Sequence, residues 1–239
     1  MIAGLALAAG LGRAEDGDAQ LWLKFYAEGK LPRGFSVAVE EELRYQDDMR
    51  EFYDEESYFI VTFDATDWLN IGLGYRVVQE RKNKTVYTAK TADDGSRSYG
   101  AVGDGDHYWQ KEERPTIEVT LKTKLDAWSL DDRNRFEWRM KDDGGDAYLR
   151  YRNRLRVKSP WKLTALKINP YAYAEGFVED KPGLSGGDMF NRYRLATGVA
   201  GQFTKNIKSG LYVMMQSDRA SEGGWDRFGV AGFELGASF

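Results

Sequence analysis

The fold of this chain can be predicted from residues 132–158. They read Asp132-Arg-Asn-Arg-Phe-Glu-Trp-Arg-Met-Lys-Asp-Asp-Gly-Gly-Asp-Ala-Tyr-Leu-Arg-Tyr-Arg-Asn-Arg-Leu-Arg-Val-Lys158. A first run places charged residues at positions 135, 137, 139 and 141, and a second run places cations at 150, 152, 154, 156 and 158. Apolar residues occupy most of the positions between them. A repeat of two residues is that of a β-strand. The Gly-rich segment 142–146 between the runs predicts a hairpin.

This hairpin has one largely apolar face and one charged face. A soluble sheet would cover the apolar face with a second layer, and the sequence offers no helix to supply it. We therefore predict that lipid covers the apolar face and that the charged face lines the lumen of a barrel. The alternatives are a soluble β-sandwich with core tryptophans and a soluble periplasmic barrel. Alternation along nearly the whole chain favours the membrane barrel.

Composition agrees with a membrane barrel and excludes several other classes. The 239 residues include 26 Gly and 14% aromatic residues, and the mean hydropathy of -0.60 is acceptable because barrel strands expose only alternate residues to lipid. No apolar run approaches the roughly 20 residues of a spanning helix. The absence of Cys excludes disulfides and thiolate chemistry. A formal net charge of -4 argues against nucleic acid as a partner.

Both ends of the chain carry export signals. The longest apolar run, Ile2–Leu11, precedes small residues and an acidic segment, which predicts a signal peptide over residues 1–14 and a barrel over 15–239. A start upstream of Met1 would account for the missing basic residues before that run. The last segment, Phe233–Phe239, alternates and ends in an aromatic residue. It resembles the C-terminal strand that the outer-membrane assembly machinery reads, so the outer membrane of a Gram-negative bacterium is the expected location.

The predicted fold is an all-β, closed antiparallel transmembrane barrel of about 10 to 12 strands. Eleven segments alternate, and the charged segments 46–57, 81–115 and 178–189 are interpreted as loops. Bacterial single-chain barrels use an even number of strands. Either the first segment stays outside the wall, or a strand is hidden within 81–115. Trp68, Trp128 and Trp161 fall in short turns, which predicts a periplasmic aromatic girdle.

Several motifs resemble a known bacterial family. They are Asp132–Arg139, Tyr148–Arg156, Asn169–Glu175, Asn191–Arg194 and Gly74-Tyr75-Arg76, together with Trp22 near the mature start. In this order they resemble a family of presumed outer-membrane β-barrels of uncharacterised function, with strand motifs that read RNRxExR at 133–139 and YxRxRNRxR at 148–156 in this sequence. The resemblance implies architecture and location, and it supplies no activity and no catalytic residues. The segment 81–115 looks like an extension beyond the usual pattern.

Read consistently, the alternation makes the lumen rich in arginine. The expected inward carboxylates are Glu40, Glu42, Glu118, Glu137, Glu175 and Glu234. The expected inward cations, twice as numerous, are Arg44, Arg76, Lys122, Lys124, Arg135, Arg139, Arg150, Arg152, Arg154, Arg156, Arg192 and Arg194. Pairing across the hairpin is expected to set Glu137 near Arg152 and Arg135 near Arg154. The second pair is like-charged and needs Glu118, another carboxylate or a bound anion.

Two functions follow from these charges. In the first, the barrel is a narrow passive pore or binding barrel for small anionic solutes, because arginine binds carboxylate and phosphate bidentately. Its anion-facing residues would be Arg135, Arg139, Arg150, Arg152, Arg154, Arg192 and Arg194, with Glu118, Glu137 and Glu175 as lumen carboxylates. In the second, salt bridges fill the lumen, and the closed barrel has a structural or surface-interaction role in the envelope.

A lipid-active hydrolase is the third and least favoured function. Such enzymes need a nucleophilic Ser beside a His base. The single histidine, His107, lies in a Gly/Asp-rich segment with no Ser placed beside it by a motif. Asp93-Asp94-Gly95 and Asp104-Gly105-Asp106 lack the spacing of a calcium loop. We therefore expect no enzyme activity, no catalytic or metal site and no cofactor, and we expect outer-membrane lipid and the assembly machinery as partners.

Overall fold

A computed structural model of the chain describes residues 18–91, 97–164, 168–181, 189–220 and 223–239. For residues 83–91 and 97–106 the description is limited to the backbone. The predicted signal peptide, 1–14, lies outside the described residues. No helix in these ranges is long and apolar enough to cross a membrane.

The described chain is an all-β barrel, as predicted. Its strands follow one another in sequence and one short 3-10 turn, Pro32–Gly34, joins the first two. The strands are β1 (Ala19–Lys30), β2 (Phe35–Gln46), β3 (Glu51–Asp64), β4 (Leu69–Thr91), β5 (Arg97–Leu125), β6 (Trp128–Lys141), β7 (Tyr148–Lys158), β8 (Asn169–Asp180), β9 (Phe190–Gln202), β10 (Ile207–Arg219) and β11 (Trp225–Ser238).

The barrel closes with these eleven strands. Each strand pairs antiparallel with its neighbour in sequence, while β1 pairs in parallel with β11 from Ala19 opposite Gly229 to Glu28 opposite Ser238. An up-and-down chain with an odd number of strands must close in parallel, because its first and last strands run the same way. The expectation of an even number was therefore wrong. The first segment belongs to the wall.

Several predicted loops are strand. Residues 81–91 and 97–115 continue β4 and β5 as a paired hairpin, and β3 already begins at Glu51. β8 continues to Asp180, and β6 begins at Trp128, which was predicted to fall in a turn. These strand ends lie beyond the part of the wall whose outward face is apolar. Because they carry charged side chains on both faces, their sequence resembles that of a loop.

The two faces of the wall differ sharply. Outward side chains are apolar and exposed, including Leu73 at 65%, Leu211 at 58% and Val39 at 55% relative exposure. Soluble monomers rarely expose a continuous apolar surface of this kind. Inward side chains are largely charged or aromatic, and many are buried. The polarity therefore matches a barrel surrounded by lipid.

The two rims of the barrel carry connections of different length. The C-terminal rim, where β11 ends, carries the turns 31–34, 65–68, 126–127 and 203–206 and the longer connection 159–168. Trp68 lies in one of these turns, and Trp128 and Trp161 make an edge-to-face contact with ring centroids 5.6 Å apart. The opposite rim is the end at which β1 begins. There the β4–β5 pair continues past its neighbours, since β3 pairs only up to Glu80.

Candidate binding site in the barrel lumen

The middle of the lumen is built around a carboxylate without solvent contact. Glu137 on β6 has 0% relative exposure. One of its oxygens accepts hydrogen bonds from Arg150, with Nη2 at 2.5 Å, and the other accepts from Arg152 Nη1 at 3.0 Å. Arg135 lies 3.7 Å from the same carboxylate. A buried carboxylate needs such partners, because desolvation of an isolated charge is costly.

Two further carboxylates continue this layer. Glu175 on β8 accepts from Arg152 at 3.1 Å and lies 3.5 Å from Arg194. Glu118 on β5 lies 2.6 Å from Arg135. Glu118 was one of three possible partners predicted for the like-charged pair of Arg135 and Arg154, and the structure brings Glu118 to Arg135.

The register of the central hairpin differs from the prediction. Glu137 lies opposite Arg150, and Arg135 lies opposite Arg152. Both cross-strand pairs are displaced by two residues on β7 from the predicted register, although Glu137 and Arg152 still make the predicted contact, at 3.0 Å. Parity was preserved, so the inward face is the same. The loop 142–147, in which Gly144 has a φ of +76°, sets a register that the spacing alone could not give.

The remaining predicted anion-facing arginines also have partners. Arg139 binds Glu112 and lies 2.5 Å from Glu179, while Arg192 lies 2.6 Å from Asp218. Arg154 lies 3.4 Å from Asp131. The layer therefore neutralises most of these guanidiniums with protein carboxylates.

Strands β1–β4 carry a second group of ion pairs. Arg44 lies 2.9 Å from Glu56 and 3.1 Å from Asp54, and Arg76 also binds Glu56. Lys24 lies 3.0 Å from Glu42. Here single cations are shared by several carboxylates.

Aromatic side chains fill the lumen beside β8–β11. Trp22 has the guanidiniums of Arg44 and Arg194 at 4.0 and 4.8 Å from its ring centroid. Tyr212 is buried against Gly232, where an ideal Cβ would lie 2.0 Å from the Tyr212 ring. Glycine at 232 is thus required by close packing.

Cavities of unequal size lie along the lumen. The middle cavity, lined by Arg76, Arg135 and Glu175 among others, measures about 70 Å³, which is room for a few water molecules. A cavity of about 220 Å³ faces the opposite rim. A cavity of about 1070 Å³, called the vestibule below, faces the C-terminal rim and reaches Asp67 and Trp68 in the turn there.

The vestibule ends against a group of three arginines. Arg133, Arg154 and Arg156 all line it, on β6 and β7. Arg133 and Arg154 are cross-strand partners. Asp131 is shared between Arg154 and Arg156, at 3.4 and 2.7 Å. The Nε atoms of Arg133 and Arg154 are buried without a hydrogen-bond partner.

Sequence reasoning missed several lumen residues. Arg133 and Asp131 share the parity of Arg135, so extending the alternation by two positions would have found them. Asp54, Glu56, Glu112 and Arg114 fell in segments interpreted as loops. Among the described residues, the buried charged side chains are seven carboxylates and six guanidiniums, so the middle layer lacks the predicted twofold excess of cations. They are Glu42, Asp54, Glu56, Glu112, Glu137, Glu175, Glu179, Arg76, Arg114, Arg135, Arg150, Arg152 and Arg194.

His107 lies on β5 opposite Asn83, in the hairpin beyond the opposite rim, and it is exposed. It was expected in a loop. In the ranges given above, no three His, Asp or Glu residues form a group that could hold a metal ion. The acidic segment 93–95 lies outside the described residues, as do the side chains of 104–106.

Comparison with known proteins gives a family but no activity. No curated protein matches the chain. Among solved structures, the beta domain of the Bordetella autotransporter Brka aligns over 89% of this chain and 96% of its own, with 13% sequence identity and a TM-score of 0.44. That similarity is too low to carry an argument. The family model described as "Protein of unknown function (DUF2490)" matches residues 19–227, and the chain belongs to that family.

Proposed function

We propose that the protein is an outer-membrane β-barrel that binds small anionic solutes in its vestibule without letting them pass. The exposed apolar outer face supports a membrane location. The small middle cavity supports a closed lumen. In outer-membrane barrels the short turns face the periplasm, so the vestibule opens to the periplasm. The proposal includes no catalytic step, no cofactor and no nucleic-acid partner.

The observation that carries the proposal is the arginine group at the end of the vestibule. Arg133, Arg154 and Arg156 face a cavity large enough for a small molecule, and they share their carboxylates. A guanidinium that shares its carboxylate with a second arginine gains a further charge-assisted hydrogen bond from a bound carboxylate or phosphate. The anion site thus lies between the ion-pair layer around Glu137 and the C-terminal rim. Of the seven arginines predicted to face anions, the proposal keeps Arg154.

The test is a calorimetric titration of detergent-folded protein with butyrate and with inorganic phosphate. We expect saturable binding that weakens about tenfold in Arg154→Gln, because one charge-assisted contact is lost. Arg156→Gln, whose side chain is 40% exposed and tolerates exchange, should act in the same direction. Arg50→Gln, exposed at the opposite rim, is the control. Equal binding by all four proteins, or no binding, would contradict the proposal.

A second candidate is a surface-interaction role, which the projecting β4–β5 hairpin favours. Backbone pairing continues from Asn83 opposite His107 to Thr91 opposite Arg97, where neither β3 nor β6 accompanies it. Deleting residues 84–105 should leave a folded barrel. If anion binding persists after the deletion while binding to a cell surface or partner is lost, the hairpin carries a separate function. Unchanged surface behaviour would remove this candidate.

A further inference from the structure

The two sides of the lumen differ in charge. In the ring of eleven strands, β6 and β7 lie opposite β1. Guanidiniums dominate the β6–β7 side, and carboxylates dominate the side formed by β1, β2, β3 and β11. The vestibule lies between these walls and contacts both.

On the arginine side, carboxylates are shared by more cations than they can neutralise. Glu175 contacts Arg133, Arg152 and Arg194. Glu118 lies 2.6 Å from Arg135 and 3.9 Å from Arg133. Asp131 also pairs with two arginines, so the β6–β7 side of the vestibule has an excess of positive charge.

On the acidic side, the excess is reversed. Glu234 on β11 lines the vestibule and makes no ion pair or side-chain hydrogen bond within the described residues. Among the described residues, Glu40 makes one ion pair, with Lys24 at 3.7 Å, and Lys24 is closer to Glu42, at 3.0 Å. The Glu40 side chain is 27% exposed, so it is open to a ligand in the cavity.

Resting on the proposed function, we infer that the vestibule ligand is a small zwitterion. Its carboxylate or phosphate would bind Arg133, Arg154 and Arg156, and its ammonium would face Glu40 and Glu234. Low-dielectric walls focus the field between unlike charges. A simple anion would satisfy only the arginine wall and would be repelled by the acidic wall, so charge complementarity favours a molecule with both groups.

Matched probes separate the two ends of the ligand. γ-Aminobutyrate, butyrate and butylamine share a four-carbon chain and differ in their charged groups. Phosphoethanolamine and inorganic phosphate test the same chemistry with a phosphate, which distinguishes an amino-acid type of ligand from a lipid-headgroup type. Each probe is titrated by calorimetry into the folded full chain, Glu234→Gln, Glu40→Gln and the outer-face control Glu113→Gln.

We expect the full chain to bind γ-aminobutyrate about tenfold more tightly than butyrate, and Glu234→Gln to abolish that preference. Butyrate should bind Glu234→Gln at least as well as it binds the unchanged protein, because a repelling charge is gone. Equal affinities for γ-aminobutyrate and butyrate in the full chain would overturn the zwitterion inference while leaving the anion site intact. If the full chain bound neither probe, or if the full chain and Arg154→Gln bound them equally well, the proposed function itself would be wrong.

Discussion

At the residue scale, Glu137 is the side chain on which the middle of the barrel depends. Its two oxygens are each held by a different arginine of β7, and it has no exposed surface. Arg150 and Arg152 are both buried as well. Removing the negative charge would leave two guanidiniums close together with less compensation.

Glu137→Gln should therefore lower the free energy of unfolding by about 3–5 kcal/mol, the usual cost of removing one partner from a buried ion pair. The measurement is denaturant unfolding of protein folded in phospholipid vesicles. Glu113→Gln changes the same chemical group on the exposed outer face near Lys111, and it should leave the unfolding midpoint unchanged. An unshifted midpoint for Glu137→Gln would mean that the ion-pair layer does not stabilise the barrel.

At the element scale, the parallel pairing of β1 with β11 is the feature that the sequence predicted least well. Alternation in residues 19–30 identified a strand, but alternation carries no information about which neighbour that strand takes. Leu21 pairs with Ala231 on the outward face. The natural chain has no Cys, so engineered cysteines report this pairing without background.

Cysteines at positions 21 and 231 should cross-link under mild oxidation, because directly paired strand positions lie within the Cα separation that a disulfide accepts. The readout is altered migration of unheated protein on a non-reducing gel. The matched control places cysteines at 21 and 233, two residues out of register, and should not cross-link. Cross-linking of the control alone, or of neither pair, would show that β1 does not close the wall as described.

The sequence predicts those strands that have one apolar face. Period two identified strands wherever one face was apolar, as in β6 and β7, and it placed Glu137 and Arg154 on the lumen face. It failed at Asp54 and Glu56, because the outward neighbours there are also polar and the segment reads as a loop. The partners of each arginine depend on hairpin register and on contacts across the lumen. Neither is encoded in local spacing.

At the scale of the whole molecule, the outer surface carries the apolar side chains that a membrane barrel turns to lipid. Leu195 lies near the middle of β9, faces outward and is 49% exposed. Leu195→Arg should destabilise the vesicle-inserted barrel by about 2–4 kcal/mol, the cost of a lipid-facing cation near the bilayer midplane. Leu163→Arg, in the connection at the C-terminal rim and 47% exposed, should have little effect. Equal effects of both changes, measured by urea unfolding in vesicles, would argue against a membrane belt at this height.

The apolar outer face and the filled middle of the lumen are the basis of the proposed function. A wall that is apolar outside and charged inside would normally suit a channel. Here ion pairs and aromatic side chains leave only about 70 Å³ in the middle, while about 1070 Å³ remains at the C-terminal rim. On the proposed function, the molecule would combine the wall of a pore with the interior of a binding protein.

Planar-bilayer recording tests whether the lumen is closed. Protein that shows heat-modifiable folding on a gel is inserted into a bilayer under a salt gradient, with a known porin as the insertion control. We predict no steady conductance above the bilayer background, because the ion-pair layer closes the lumen. A stable, anion-selective conductance that falls in Arg152→Gln would contradict the closed lumen and identify the barrel as a pore.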